Sequence, residues 1–443
     1  MGRVALIGEN SIEYIEILLT IWGQGDCAVL IDWRIPFLAA YDMIRDSEAY
    51  MCVVEDSYVK EIKLDDYPEV KFFKYSRKKN VAEELPVGIR SKYHANYLST
   101  EALILFSSGT TGKSKGIILS HKAISNNADS IIEYMKLSDK DCFYIAKTLA
   151  HSSTLVGELL VALKTGKKVI VAPTIVPPRF VLNNLIKFDV SIICLNPSLL
   201  LMYAEEYKRR KYTIPSLRCI YVSGAILYNK HLEMAKNAFN GVDIYNVYGL
   251  TEAGPRVSAQ RYDCNSGVSV GKPISNVKIC IRDENGRKLS EGEKGVICVS
   301  SPCLYSGYVK GIRKREIDIF EEINTGDIGY IDHGELYIVG RIDDVINIDA
   351  HKIFPEDVER CILNEVNVDD CIVVGENVDG EASLVCYYQA DHILSNSEIK
   401  KLRKRLAVYE IPRKFCRVDK IPQGFNGKKV HSDGKVINIW SKN

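Results

Sequence analysis

A segment of ten residues, 107–116, has the composition of a phosphate-binding loop. It consists of Ser107, Ser108, Gly109, Thr110, Thr111, Gly112, Lys113, Ser114, Lys115 and Gly116. Its glycines allow the backbone to bend where a Cβ would clash, so several N–H groups can point at one anion. The hydroxyl groups add further donors and the two lysines add positive charge. The segment therefore predicts a site for a triphosphate.

The sequences on either side of this loop are apolar and predict strands at Ala102–Phe106 and Ile117–Leu119. A Walker A loop, G-x-x-x-x-G-K-[ST], would require glycine in place of Ser107 and would lead directly into a helix. Neither requirement is met, which excludes an ordinary P-loop NTPase.

The loop resembles that of the adenylate-forming superfamily, [ST]-[ST]-G-[ST]-T-G-x-P-K-G, and departs from it at Ser114, where proline is usual. This superfamily comprises acyl-CoA synthetases, adenylation domains of peptide synthetases, and luciferases. The resemblance implies that the loop holds the β- and γ-phosphates of ATP. The loop residues expected to bind ATP are Ser107, Ser108, Gly109, Thr110, Thr111, Gly112 and Lys115.

Residues 246–252, N-V-Y-G-L-T-E, are similar to the N-x-Y-G-x-T-E motif of the superfamily. The resemblance implies that Asn246, Tyr248 and Gly249 belong to the ATP site, with the Tyr248 ring against adenine. Thr251 is expected to hydrogen-bond a phosphate oxygen. Glu252 is expected to be the Mg²⁺ ligand, because a carboxylate beside phosphates is a typical magnesium site. Thr251 and Glu252 are thus predicted catalytic residues.

Two further segments match elements that contact the nucleoside in the superfamily. A turn that lines adenine is expected at Ser223, Gly224 and Ala225, where the family usually has two glycines. A T-G-D element ends at Asp327, whose carboxylate can accept hydrogen bonds from both ribose hydroxyls.

The last two elements lie towards the carboxyl end. Residues 340–347 are similar to G-R-x-D-D-x-I-[KN]; they imply a ribose contact for Arg341 and a hinge between two domains at Asp343. Residues 422–428 have the spacing of P-[KR]-[TN]-x-x-G-K, which implies that Lys428 is the catalytic lysine that holds the carboxylate and the α-phosphate. Lys429 and Lys435 are neighbouring lysines, and the distance from Pro422 selects Lys428.

The acid to be activated is only partly constrained. By resemblance, the pocket is lined by residues 150–157 and by the adenine turn, which makes His151 and Ser223 the predicted substrate-pocket residues. An alternative role for His151 is to cap a helix. No aspartate stands where amino-acid-activating domains pair with the substrate ammonium group. This favours a simple acyl, aryl or hydroxy acid.

Composition excludes several classes of protein. The chain has 443 residues, a net charge of +1 and 26% charged residues, so no strong field would attract nucleic acid or an anionic membrane. No apolar stretch is long enough to span a bilayer, and we expect no membrane insertion. Thirteen cysteines are scattered without C-x-x-C. This pattern is typical of a reduced protein, and we expect a cytoplasmic location.

Helices alternating with apolar strands predict an α/β fold with largely parallel sheets up to about Gly340. Helices are expected at Ser11–Trp22, Leu155–Leu163 and Glu398–Val408, and strands at Val4–Ile7, Cys27–Asp32, Lys168–Ala172, Asp370–Gly375 and Glu381–Gln389. The fold class is a large N-terminal domain of packed mixed or parallel sheets with helices, plus a small α+β C-terminal lid. The predicted domains are 1–341, with a trimmed amino-terminal subdomain, and 342–443, a mobile lid.

The resemblance implies an ATP-dependent ligase that joins a small carboxylic acid to a thiol through an acyl-adenylate, with release of pyrophosphate. ATP and Mg²⁺ are the implied cofactors. The acceptor is CoA or the phosphopantetheine of a separate acyl or peptidyl carrier protein. Ala350 stands where the family has glycine beside the phosphopantetheine channel, so the thiol step is the less secure one. The alternative is a degenerate adenylate-binding protein that acts as a sensor or partner.

Overall fold

The computed structural model describes residues 2–94, 101–107, 114–262, 268–309, 322–348, 351–378 and 381–421, together with Lys429. Strands and helices alternate along the first part of the chain. These elements are β1 Arg3–Gly8, α1 Ile12–Gly23, β2 Cys27–Asp32, α2 Phe37–Asp46, β3 Met51–Glu55, β4 Lys71–Tyr75, β5 Glu83–Glu84, α3 Val87–Arg90, β6 Glu101–Ser107 and β7 Lys115–Ser120.

The middle of the chain continues the same alternation. It contains α4 His121–Met135, β8 Cys142–Ile145, α5 Ser152–Thr154, α6 Val161–Thr165, β9 Lys168–Val171, α7 Pro178–Lys187, β10 Ile192–Leu195, α8 Pro197–Arg210, β11 Cys219–Ser223, α9 Asn229–Ala238, β12 Asp243–Tyr248, β13 Ser258–Arg261 and β14 Lys272–Pro273. A π-helical segment, Leu155–Leu160, joins α5 to α6. The buried helix predicted at Leu155–Leu163 therefore exists, but its first six residues are wound more loosely than an α-helix.

Short strands dominate the remainder. They are β15 Lys278–Arg282, β16 Gly295–Ser300, β17 Gly307–Tyr308, β18 Glu322–Asp332, β19 Glu335–Arg341, β20 Ile346–Ile348, β21 His351–Ile353, β22 Asp370–Val378, β23 Glu381–Gln389 and β24 Lys414–Arg417, with helices α10 Pro355–Glu365 and α11 Asn396–Leu402.

Two large sheets form the body of the molecule. The first has the order β17-β7-β6-β2-β1-β3-β4, and the second has the order β14-β13-β12-β11-β10-β8-β9-β5. Their central strands are parallel, as in β1 with β2 and β10 with β11. One apolar cluster joins strands of both sheets through α1, α4 and the π-helical segment. The helices between the two sheets therefore bury their apolar residues on both sides.

The third sheet corrects the prediction of largely parallel pairing up to Gly340. It has the order β15-β16-β18-β19, and all of its pairs are antiparallel. Hydrophobic periodicity predicts that a segment is a strand but does not say in which direction its neighbour runs. The mixed α/β class itself is confirmed.

The C-terminal part has its own small α+β core. The hairpin β22–β23 is confirmed and pairs with β24, and α10 packs against β22. The helix predicted at Glu398–Val408 is too long, because α11 ends at Leu402 and a 3-10 turn follows at Val408–Glu410. Continuing α11 would place lysine and arginine side chains of like charge four residues apart, which is unfavourable.

No helix in the described ranges is long and apolar enough to cross a membrane. The cysteines of these ranges are all free thiols, and most are buried.

Candidate functional site

The phosphate loop lies between two antiparallel strands, and strands on either side of it were predicted. Strands β6 and β7 pair with Ser107 opposite Lys115, which brings the two ends of the loop together. The predicted ATP ligands Ser108, Gly109, Thr110, Thr111 and Gly112 lie outside the described residues. Lys115 is exposed at the start of β7. Its ammonium group is therefore available at the mouth of the loop.

Strand β17 connects the phosphate loop to Glu252. Tyr308 of β17 pairs with Ile117 of β7, and the Lys115 ammonium lies 5.8 Å from the centre of the Tyr308 ring. The Tyr308 hydroxyl donates a hydrogen bond of 3.3 Å to Glu252 Oε1. Burial and this carboxylate raise the pKa of Tyr308, so it remains a neutral donor. Tyr308 was not predicted from sequence, because it belongs to no motif.

The Glu252 carboxylate suits a magnesium ion shared with phosphate oxygens. In the described part of the chain it accepts a long hydrogen bond from Tyr308, so its oxygens retain acceptor capacity. Mg²⁺ usually keeps several waters or phosphate oxygens and takes one or two protein carboxylates. No group of three metal-ligating side chains was found among the described residues. The residues present therefore fit the predicted role of Glu252 as the protein ligand.

The predicted ribose residues lie together beside the predicted adenine tyrosine. The Tyr248 hydroxyl donates a 2.6 Å hydrogen bond to Asp327 Oδ2, and Arg341 Nε lies 3.4 Å from Asp327 Oδ1. These residues come from the end of β12 and from the paired strands β18 and β19, in which Asp327 lies opposite Arg341. Burial and the Asp327 carboxylate raise the pKa of Tyr248 well above its usual value.

The turn after β12 is fixed by packing. Asn246 is buried and donates a 3.0 Å hydrogen bond to the carbonyl of Ser269. A Cβ on Gly249 would lie 1.8 Å from the carbonyl oxygen of Pro255, so only glycine fits there. Thr251 Oγ1 lies 2.9 Å from Ser152 Oγ, which links this turn to the segment that begins at His151.

The predicted adenine turn lies beside the same strand. Ser223 is the last residue of β11 and pairs with Val247 of β12, one residue before Tyr248. Gly224 follows with φ of 97°, a conformation that favours glycine. Ser223, Gly224 and Ala225 are therefore placed next to Tyr248, where an adenine turn is expected.

His151 caps a helix, which is the alternative role considered for it in the sequence analysis. Its Nδ1 accepts a 3.2 Å hydrogen bond from the backbone N–H of Ser153, so the side chain caps α5. Asn10 fixes the preceding loop, donating to the carbonyl of Lys147 and accepting from the N–H of Leu149. His151 is exposed, and a role in the acid pocket stays a prediction.

Lys428 lies outside the described residues, but its neighbour is described. Lys429 donates a 2.7 Å hydrogen bond to Asp370 Oδ1 and lies 4.8 Å from the centre of the Tyr228 ring. Burial alone would lower the Lys429 pKa, but the Glu359 and Asp370 carboxylates outweigh it and raise the pKa. Because the Lys429 ammonium is held in this cluster, Lys428 remains the better candidate for the catalytic lysine.

The predicted hinge residue Asp343 is exposed on a 3-10 turn, Ile342–Asp344, directly after β19. This turn separates the four-stranded third sheet from the small C-terminal core. The domain boundary after residue 341 and the hinge role stay predictions. Ala350 lies outside the described residues.

Comparison with known proteins decides the family. The family model described as AMP-binding enzyme matches residues 2–309. The chain belongs to the AMP-binding enzyme family. Zwittermicin A synthase ZmaJ of Bacillus cereus is 30% identical over 356 residues, which cover 75% of this chain and 67% of that protein. Bacitracin synthase 2 of Bacillus licheniformis is 25% identical over 96% of this chain, which spans 16% of that synthase.

The fold agrees with solved structures of AMP-binding enzymes. O-succinylbenzoate coenzyme A synthetase (MenE) from Bacillus subtilis, solved in complex with ATP and a magnesium ion, superposes with a TM-score of 0.79. The match covers 98% of this chain and 89% of that chain at 23% identity. The fold is thus that of the adenylate-forming ligases, a large N-terminal domain with a small C-terminal one.

Proposed function

We propose that this AMP-binding enzyme is an ATP-dependent carboxylic acid–thiol ligase. The observation that carries the proposal is the contact of Asp327 with two predicted nucleoside residues: it accepts a hydrogen bond from Tyr248 and lies 3.4 Å from Arg341 Nε. Tyr248 lies three residues before the 3-10 turn that begins at Thr251 and contains Glu252. This closeness of the residues predicted for adenine, ribose and phosphate supports a single nucleotide site.

In the first step, an oxygen of the substrate carboxylate attacks the α-phosphorus of ATP, and the bond from that phosphorus to the oxygen of pyrophosphate breaks. Asp327 and Arg341 hold the ribose, and the loop with Lys115 holds the β- and γ-phosphates. Thr251 contacts a phosphate oxygen, and its position is set by Ser152. Catalysis consists of positioning the two anions and of stabilising charge.

Mg²⁺, held by Glu252 and phosphate oxygens, would neutralise negative charge on the triphosphate. Lys428 would supply positive charge at the α-phosphate. In the second step, a thiolate attacks the acyl carbon, the carbon–oxygen bond to AMP breaks, and a thioester forms. CoA or the phosphopantetheine of a carrier protein is the proposed acceptor.

The proposal is tested by acid-dependent exchange of labelled pyrophosphate into ATP, over a panel of amino, aryl, hydroxy and fatty acids. We expect exchange with one class of acid and a fall of about 10²-fold or more in Glu252→Gln, because the carboxylate charge is lost. Glu61, exposed between β3 and β4, provides the matched control Glu61→Gln, which should match the wild type.

Binding of ATP without exchange on any acid would contradict a ligase and favour the adenylate-binding alternative. A Glu252→Gln variant that exchanges at the wild-type rate would contradict the assigned role of Glu252.

A further inference from the structure

Arg256 is a buried arginine with unpartnered hydrogen-bond donors. Its side chain is 1% exposed, and in the described part of the chain Nε and Nη2 have no hydrogen-bond partner. Nη2 lies 2.9 Å from the position that a Cβ on Gly157 would take. The guanidinium therefore packs directly against the backbone of the π-helical segment, and a Cβ at position 157 would require it to shift.

The charges around Arg256 do not balance. Lys147 forms an ion pair of 3.2 Å with Glu158, whose side chain is 1% exposed. No described carboxylate forms such a pair with Arg256, although Glu158 is near enough to feel its charge. Two cations thus share one carboxylate in the interior. An arginine remains protonated inside proteins, and an unpaired buried charge is costly, so this cluster is suited to receive an anion.

The backbone of Arg256 is held in place from both sides. Its N–H donates a 3.0 Å hydrogen bond to Asn127 Oδ1, and its carbonyl accepts one of 2.9 Å from Asn127 Nδ2. Asn127 is itself fully buried. These contacts fix the backbone from which the guanidinium projects, which favours a defined position for its donors.

The position of Arg256 relates it to the acid rather than to the nucleotide. It follows Glu252 by four residues and packs against Gly157, the last residue of the segment predicted to line the acid pocket. Further polar atoms on the surrounding elements are also buried without a hydrogen-bond partner in the described ranges, namely Thr154 Oγ1, Tyr134 OH and Tyr221 OH. The elements around Arg256 therefore carry several buried polar groups and excess positive charge.

We infer that Arg256 binds a second negatively charged group of the substrate, so that the acid activated is a dicarboxylic acid or a carboxylic acid with another oxyanion. The inference rests on the proposed function and narrows its substrate class. An α-amino acid without a second acidic group is disfavoured, because it offers no anion to Arg256.

The test compares dicarboxylates with their monoamides, which have nearly the same shape and one charge less. The probes are succinate, glutarate, adipate and terephthalate, each with its monoamide, in pyrophosphate exchange. We expect kcat/KM for the best dicarboxylate to exceed that for its monoamide by about 10²-fold, as for a charge-assisted, bidentate hydrogen bond. The ratio should fall to about 1 in Arg256→Met and be partly retained in Arg256→Lys.

Two further variants separate recognition from folding. Gly157→Ala should lower the same ratio, because its Cβ displaces the guanidinium. Arg218→Met is the matched control: it removes an arginine paired with Asp141 at 2.6 Å, and should leave the ratio unchanged even if it lowers stability. Because each ratio is measured within one variant, the amount of folded protein cancels.

Calorimetric titration of the same acids into wild type and Arg256→Met distinguishes a failure of the anion-site inference from a failure of the ligase proposal. Exchange with monocarboxylic acids alone would overturn the inference and leave the ligase proposal standing. Absence of exchange on every acid, with dicarboxylate binding that Arg256→Met abolishes, would overturn the ligase and support the anion site. Absence of both dicarboxylate exchange and dicarboxylate binding, or an unchanged ratio in Arg256→Met, overturns the inference.

Discussion

Replacing Asp327 by asparagine should weaken ATP binding by about 10- to 100-fold. Asp327 accepts a 2.6 Å hydrogen bond from Tyr248 and lies 3.4 Å from Arg341 Nε, which leaves acceptor positions for two ribose hydroxyls. Asparagine removes the charge and one acceptor oxygen. One hydrogen bond to a charged group contributes about 1.5–3 kcal/mol, and about 1.4 kcal/mol corresponds to a factor of ten in Kd.

The assay is calorimetric titration of ATP, together with KM for ATP in pyrophosphate exchange at saturating acid. Tyr248→Phe is the control, because it deletes the hydrogen bond to Asp327 and retains the aromatic ring. We expect its Kd for ATP to change by less than about 3-fold, since a neutral hydrogen bond contributes about 1 kcal/mol or less. Titration with 2′-deoxy-ATP and 3′-deoxy-ATP completes a double-mutant cycle.

If Asp327 holds the ribose, loss of a ribose hydroxyl should cost the wild type much more affinity than it costs Asp327→Asn. An Asp327→Asn protein that binds ATP within twofold of the wild type would refute the reasoning. Equal losses on the deoxy analogues in both proteins would refute it as well, because the two changes would then be independent.

Lys429→Met should destabilise the C-terminal core by about 3–5 kcal/mol, because it leaves the Asp370 carboxylate and its neighbours buried without their cation. Hydrogen exchange of α10 and β22 measures this, and unchanged protection would contradict the structural role. The second prediction concerns acid stability. Burial opposes ionisation of Asp141, but the Arg218 guanidinium outweighs it and lowers the Asp141 pKa to about 2, below its usual value of 3.8. Its contribution is therefore present above about pH 4 and lost as the pH falls towards 2, a change of about 2 kcal/mol. Urea unfolding across this range should show that loss in the wild type and not in Asp141→Asn, and identical pH profiles would contradict it.

The elements that sequence predicts best are those whose side chains decide their structure locally. The strand expected at Cys27–Asp32 has the same limits in the structure, because a short apolar run between polar turns has few alternatives. The strands on either side of the phosphate loop, β6 and β7, were predicted for the same reason. The C-terminal end of α11 was not predicted, since Val408, the last residue of the predicted helix, is 89% exposed and gives such a helix no buried anchor.

The functional site likewise contains residues that local motifs predict and residues that only the folded structure identifies. Motif spacing named Tyr248 and Asp327, and the structure brings them to 2.6 Å. Spacing could not name Tyr308, which reaches Glu252 only because β17 pairs with β7. Motif spacing also did not identify Arg256, because burial of a charged side chain depends on packing and not on local sequence.

The most direct test of acid activation follows the oxygen atoms of the substrate. A carboxylic acid that supports exchange, labelled with ¹⁸O in both carboxylate oxygens, is incubated with enzyme, ATP and CoA, and the products are analysed by mass spectrometry. If the carboxylate attacks the α-phosphorus, AMP carries one ¹⁸O atom and pyrophosphate carries none. Label in inorganic phosphate, or AMP formed without label, would contradict the acyl-adenylate and with it the proposed ligase.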